Sequence, residues 1–439
     1  MSTVKKVINN SVWIILCRIL KVLLGAVVSI LTARLFGSED FGLLNYASAL
    51  ISFISPLVLL GFNSTLVKEF LSENDEGTTL GTAIIASMCC SLIGMAISVG
   101  ISFAISPNDR TAILVTAVYS ITLFFHATEL IQYWFQAKYR SRDVGLVGLV
   151  TYLVVTGYKI LLLVLRVGIY WFALSNALDY LLVSAILLFI YIKEKRPALK
   201  FSLVYLKRML KSGIYYAVSA FMVNVFTHVD SIMIKSMLGN SDNGIYSVAI
   251  ICAGMFTFFF AAIIEAVRPY ILEGKNQGDD VFEHRIKQLY TILIYLGIIC
   301  GVLVFLGARL MIGILYGEEY SQSADVLKIL IWSTVLSCIG GAKDIWILAE
   351  QKQRYLLYLN TAGVLCNIIV NMLLIPLIGI KGAAIATVTT QFMSNICLCF
   401  FIKDLRRNAF LLVQSLDSRS VIYKTYKWVF ANDKRDKKN

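Results

Sequence analysis

Five prolines and three histidines in 439 residues, with charged side chains at only 15% of positions, are what this sequence is short of. So few charges cannot cover the surface of a soluble protein of this size, and 58% hydrophobic residues place the chain among polytopic membrane proteins. The histidines, His126, His228 and His284, are too scattered for a metal cluster, and no HExxH, GxSxG or GxxxxGK[ST] spacing occurs. All nine cysteines, among them Cys89, Cys90, Cys397 and Cys399, lie inside apolar stretches, which argues against a disulfide framework or a zinc site. No metal or other cofactor is expected. Long polar loops are missing as well. The longest on the side poor in lysine and arginine runs from about 316 to 324, "YGEEYSQSA", which leaves no room for a catalytic domain.

What is present is a succession of apolar runs, each long enough for the ~20 helical residues that cross a ~30 Å hydrocarbon core. Six lie at about 11–36, 41–62, 80–105, 111–137, 144–166 and 168–192, and six more at 212–238, 244–265, 288–316, 324–349, 355–377 and 380–402. The first follows Lys5 and Lys6, is too long for a signal-peptide core, and reads as a retained helix. With twelve spans, 29 of the 40 Lys and Arg fall in the terminal segments and the loops on their side. Four (Arg34, Arg110, Arg166 and Lys381) fall opposite and seven inside spans, a bias that predicts both termini in the cytoplasm. The net charge of +13 therefore reports topology and attraction to anionic lipid rather than nucleic acid.

The two sets of spans repeat. "FGSEDFGLLNYA" (36–47) matches "LGNSDNGIYSVA" (238–249), pairing Gly37, Asp40, Gly42 and Ala47 with Gly239, Asp242, Gly244 and Ala249. "WFQAKYRSR" (134–142) resembles "WILAEQKQR" (346–354), and "LLVLRVGIYWFALS" (162–175) resembles "LLIPLIGIKGAAIA" (373–386). An even number of helices per copy gives both copies the same orientation, so the expected fold is all-α, with two six-helix lobes related as parallel repeats around a central cavity. The expected organisation is a lobe over 1–192, a cytoplasmic linker over 193–211, a lobe over 212–402 and a basic cytoplasmic tail over 403–439. That tail reads as a surface-lying amphipathic helix or a disordered basic end.

"ARLFGSEDFGLLNYA", "VDSIMIKSMLGNSDNGIYSVA" and "LLIPLIGIKGAAIATVTTQF", taken in order, resemble the polysaccharide repeat-unit flippases, the O-antigen or Wzx-type translocases of the multidrug, oligosaccharidyl-lipid and polysaccharide exporter superfamily. The resemblance spans roughly residues 5–402. It implies a non-enzymatic transporter of the bacterial inner membrane that moves a polyprenyl-diphosphate-linked oligosaccharide outward by alternating access. Membrane lipids, a polysaccharide polymerase and chain-length machinery are the partners it implies. The rival readings are a drug or cation antiporter of the same superfamily and, with less support, a membrane-embedded polymerase or glycosyltransferase.

Charges at membrane depth are costly and mostly face protein or a water-filled cavity. Arg18 and Lys21 share a polar stripe on the first span, and Lys159 and Lys343 lie within later spans; these four are the candidate cations for a diphosphate head group. The seventh span carries Asn224, His228 and Asp230 in the stretch "THVDSIMIK", and Glu129 and Asp179 lie in the fourth and sixth. Asp230 suits either a packing hydrogen bond or ion coupling, and His228 either a buried structural role or a proton relay. Lys235, Arg309 and Lys328 are close enough to span ends to snorkel. Trp13, Trp134, Trp171 and Trp346 read as an interfacial belt.

Overall fold

The computed structural model describes residues 3–72, 75–194 and 196–416, with side chains from Cys17 onward except that of Arg18. It is helical throughout the spans, as lipid demands of backbone that has no water to bond. The chain divides into two compact units, Met1–Ile245 and Tyr246–Asn439.

The first unit contains α1 (Thr3–Val58), α2 (Phe62–Ser72), α3 (Glu76–Ile105), α4 (Arg110–Thr128), α5 (Gln132–Ala137), α6 (Ser141–Val164), α7 (Ile169–Lys193) and α8 (Leu203–Leu238). Eleven described helical stretches are long and apolar enough to cross a membrane. The first of them, Ile19–Ser72, holds two of the twelve expected spans, because α1 bends at Gly37, where φ is 76° and ψ 177°. Asp75 and Asp109 start α3 and α4 by accepting the N–H groups of Thr78 and Ala112, both at 2.9 Å. One core layer gathers Phe62, Leu66, Leu80, Trp134, Leu187 and Met209; a second gathers Leu43, Tyr46, Leu50, Val115, Leu123 and Phe172.

The second unit contains most of α9 (Asn240–Gln277), then α10 (Asp279–Leu315), α11 (Ser321–Ala349), α12 (Arg354–Ile378), α13 (Ile380–Phe392), α14 (Leu398–Phe401) and α15 (Arg406–Ser415). A π-helical turn, Met393–Cys397, links α13 to α14. Its core is built on Phe260, Phe282, Tyr290, Leu293, Trp346 and Leu359.

The duplication is visible in the backbone. Gly239, repeat partner of Gly37, ends α8 with φ 105° and ψ −173°, the same glycine-permitted turn. Tyr139 and Gln351, at matched positions after Trp134 and Trp346, are left-handed at φ 58° and 56°. The bonds closing those two helix ends also correspond, Arg140 N–H to Phe135 O at 2.8 Å and Lys352 N–H to Ile347 O at 2.9 Å. Within the first unit the two copies of the glycine turn cross. A Cβ on Gly42 would lie 1.8 Å from the carbonyl oxygen of Asn240, and one on Gly244 would lie 2.0 Å from that of Ser38, the repeat equivalent of Asn240. Asn243 donates to the Gly42 carbonyl at 2.8 Å, and the Ser38 and Ser241 hydroxyls are 2.8 Å apart.

Three details add to or depart from expectation. The linker expected over 193–211 is already helical from Leu203, and residues 196–202 form an extended strap across the start of α3. There the Lys200 N–H bonds Gly77 O at 3.3 Å, the Ser202 N–H bonds Thr82 Oγ1 at 3.0 Å, and the strap backbone fills the space a Cβ on Gly77 or Gly81 would need. The first part of the tail is α15, which packs on α10 through buried Leu411 and Leu412 and a 3.0 Å bond from the Tyr290 hydroxyl to Asn408. The rest of the tail, from residue 417, lies outside the described residues. Trp134 and Trp346 are buried under Arg196 and Lys352, whose charged groups sit 5.0 and 4.7 Å from their rings, so these two indoles are not part of a lipid-facing belt.

Candidate functional site

Glycine makes room for the polar side chains inside the first unit. On α6, Gly148 lets the Lys21 ammonium of α1 approach to where a Cβ would be 3.0 Å away, and on α1, Gly25 similarly accommodates the Tyr152 hydroxyl at 2.9 Å. Lys21 thus lies 5.4 Å from the centre of the Tyr152 ring. Its charge acts on Glu129, just past the end of α4, and on Asp179 of α7.

Lys159 enters the same group from α6. It donates to Asn176 Oδ1 on α7 at 2.7 Å, lies 5.6 Å from the Phe172 ring and acts electrostatically on Asp179. The buried Oδ1 of Asp179 has no hydrogen-bond partner among the described residues, and the nearby Thr151 hydroxyl donates back to its own helix, to Val147 O at 3.0 Å. His126 completes the group: its Nδ1 is 2.9 Å from the Ser55 hydroxyl, its Nε2 is 3.7 Å from Glu129, and its ring sits 4.7 Å from that of Tyr180. Four membrane helices therefore converge two cations, two carboxylates, an imidazole and two phenols, all half-buried. A buried carboxylate oxygen without a hydrogen-bond partner is expensive.

The remaining candidates make contacts of their own. Arg18 is on α1, with its side chain outside those described. Lys343 belongs to the second unit, where it is buried, donates to Asn395 Oδ1 at 2.9 Å and pairs with Asp344 at 3.5 Å. Asn395 sits in the π-helical turn and also donates to Gln391 Oε1 at 2.7 Å; such turns recur at functional sites. On α8, which packs along α1, Asp230 is buried and His228 half-buried, while the Asn224 amide is spent on its own helix, at Ala220 O.

Lys235 does not snorkel. Its side chain is 5% exposed and its ammonium donates at 2.9 Å to Asp109, which also accepts from Asn240 at 3.3 Å. Burial alone pushes the Asp109 carboxyl up, but the bonds from Lys235, the Ala112 N–H and Asn240 outweigh it and hold the group below the usual carboxylate range.

Of the residues the sequence singles out, the structure brings Lys21, Glu129, Lys159 and Asp179 together; Tyr152, Asn176 and Asn395, and His126 in this role, are not singled out there. The spacings His126–Glu129 and Asn176–Asp179 put each pair on one helical face, a signal that was available. Asn395 had none, because a π turn leaves no pattern in the residues.

A family model described as "Polysaccharide biosynthesis protein" matches residues 7–275, and one described as MatE matches residues 216–373. The capsular polysaccharide biosynthesis protein CapF of Staphylococcus aureus is 25% identical over 409 residues, covering 90% of this chain and 99% of that one. Among solved structures, the lipid II flippase MurJ in an inward closed conformation superposes with a TM-score of 0.74 at 15% identity, covering 94% of this chain and 93% of that one. An inward-facing multidrug resistance MATE family transporter follows with a TM-score of 0.65 at 14% identity, covering 90% and 96%. At such identities the structural likeness carries the fold alone.

Proposed function

We propose that this chain, which belongs to the polysaccharide biosynthesis protein family, carries a polyprenyl-diphosphate-linked oligosaccharide from the cytoplasmic to the outer face of the membrane. The observation that carries the reading is the convergence of Lys21, Lys159, Glu129 and Asp179 between helices that are apolar elsewhere. The capsular relative, matched over nearly its whole length, supports the glycan class.

The physical task is to move sugar hydroxyls and a diphosphate past lipid, where each unpaired polar group costs on the order of several kcal/mol. Lys21 and Lys159 supply point charges for phosphate oxygens, while Glu129 and Asp179 hold those charges compensated when no ligand is present. Because two carboxylates stand near two ammonium groups, the empty site is not a standing anion trap. Outward movement of about two negative charges gains ~5 kcal/mol per 100 mV from an inside-negative potential, so no nucleotide is required. In this reading residues 1–192 and 212–402 are the two lobes, both termini are cytoplasmic, and no bond is made or broken.

The test is the Lys21→Met/Lys159→Met double variant in the chain's own host. Surface glycan falls by about tenfold or more while protein abundance in the membrane is unchanged, and lipid-linked glycan accumulates on the cytoplasmic side. Normal surface glycan in that variant overturns the proposal. The MatE match favours one alternative, an antiporter; loss of drug resistance with glycan intact would replace the first reading with that one.

A further inference from the structure

The second unit has a cavity of about 360 Å³ where α10 ends and α11 begins. Its walls include Arg309, Glu318, Ser321, Gln322 and Asp325, and they also include Gly313 and Gly317, where an added Cβ would meet nothing within 4 Å. The volume falls within the ~300–1,000 Å³ of ordinary small-ligand sites.

The charges around it are already matched. Asp325 accepts from Lys328 and Lys381, each at 3.2 Å, and lies 3.9 Å from the Arg309 guanidinium. Glu318 and Asp325 line the cavity with Arg309, and the two lysines beside Asp325 are engaged by it rather than lining the wall, so an incoming phosphate meets two carboxylates. A metal ion is no better served, because among the described residues no three acidic, histidine or cysteine side chains group to hold one. Hydrocarbon would strip water from a guanidinium, two carboxylates and an amide. What suits a near-neutral wall of closely spaced donors and acceptors is a near-neutral ligand with closely spaced donors and acceptors of its own.

We infer that this cavity is a glycan subsite, taking one or two sugar rings through their hydroxyls. It lies at the chain's lysine-poor face by the sequence count, so it receives sugar that has already crossed, and identifying that sugar with the transported glycan rests on the function proposed above. Carboxylate, guanidinium and carboxamide groups each engage two neighbouring hydroxyls, while Gly313 and Gly317 leave flat wall for a ring. Arg309, whose side chain is 78% exposed and whose ion pair is long, is the wall group freest to turn onto a ligand.

The experiment uses the purified full chain in detergent and oligosaccharides released by mild hydrolysis from the host's own surface polysaccharide, read by saturation-transfer NMR. Gly313→Phe fills the cavity from a helical position, whereas Gly307→Phe puts the same ring on α10 at a site that is also open but outside the cavity. The wild type and Gly307→Phe bind; Gly313→Phe and Gln322→Ala each bind about tenfold more weakly or not at all. Gln322→Ala keeps the test alive if the phenylalanine variant does not fold. No transfer to the wild type, undiminished transfer to both cavity variants, or displacement of the sugar by sodium pyrophosphate overturns the inference. Because binding is measured without transport, this outcome is separate from that of the Lys21/Lys159 export assay.

Discussion

Removing the Lys235 ammonium tests how the end of α8 is held. Lys235→Met keeps the length of the side chain but strips Asp109 of its charged partner at 2.9 Å. Truncating one member of a fully buried pair costs ~3–5 kcal/mol, mainly because the other charge is left uncompensated. Asp109 is 28% exposed and keeps the Ala112 N–H and the Asn240 amide, so the cost here is nearer ~1–3 kcal/mol. For a unit of this size that lowers the midpoint of thermal unfolding in detergent by about 2–10 °C. Asp109→Asn strands an ammonium that is only 5% exposed, and is the more damaging single change. The double variant removes both charges, and its loss falls short of the sum of the single losses by ~1–2 kcal/mol. Acid supplies a second reading. A carboxyl held below its ordinary range contributes stability that is present above the unfolded value of ~3.9 and is lost as pH falls through the folded value, so the wild type loses stability below about pH 4. Lys235→Met flattens that acid limb. Additive single losses, or an unchanged acid limb, would refute the reasoning.

Two further outcomes follow from backbone contacts. Gly42→Ala places a methyl 1.8 Å from the Asn240 carbonyl oxygen, and destabilises by ~2 kcal/mol or more in the same unfolding assay, whereas Gly254→Ala, facing open space, is neutral within ~0.5 kcal/mol; equal effects would show that the crossing is not tight. Gly81→Val dislodges the strap from α3, where Lys200 backbone atoms lie 2.5 and 2.6 Å from the added Cβ position, and limited trypsinolysis then cuts after Lys200 at least about tenfold faster than in the wild type; unchanged cleavage refutes the docking.

The spans were legible because lipid imposes length and apolarity on any helix that crosses it, and the Gly37 and Gly239 turns because only glycine adopts φ of 76° and 105° freely. Tyr139 and Gln351 adopt the left-handed conformation without a residue type that announces it; their equivalence emerges only from the closing hydrogen bonds. The charged residues were visible one by one, but their partners were not. Lys235 stands near a span end, where a free lysine snorkels, and what buries it is an aspartate 126 positions away. Lys343 stands out in its span, and its hydrogen-bond partner is an asparagine 52 positions on, in a π turn. Contacts of that separation depend on how helices pack, which periodicity within one helix does not record.

The glycine crossing reads, in the language of oligomers, as an isologous interface enclosed in a single chain, since Gly42 meets the backbone of residue 240 just as Gly244 meets the backbone of residue 38. Two separate six-helix ancestors would make the same contact twice over, at a strength set by their concentration. Joining them makes the association intramolecular, and it persists however dilute the protein becomes. The fused copies are then free to diverge wherever one side chain faces another, because a change in one can be answered by a change in its neighbour. At the crossing that freedom is absent. What opposes each glycine is a main-chain carbonyl, which no substitution alters, so a side chain gained on either copy has nothing across from it that can yield.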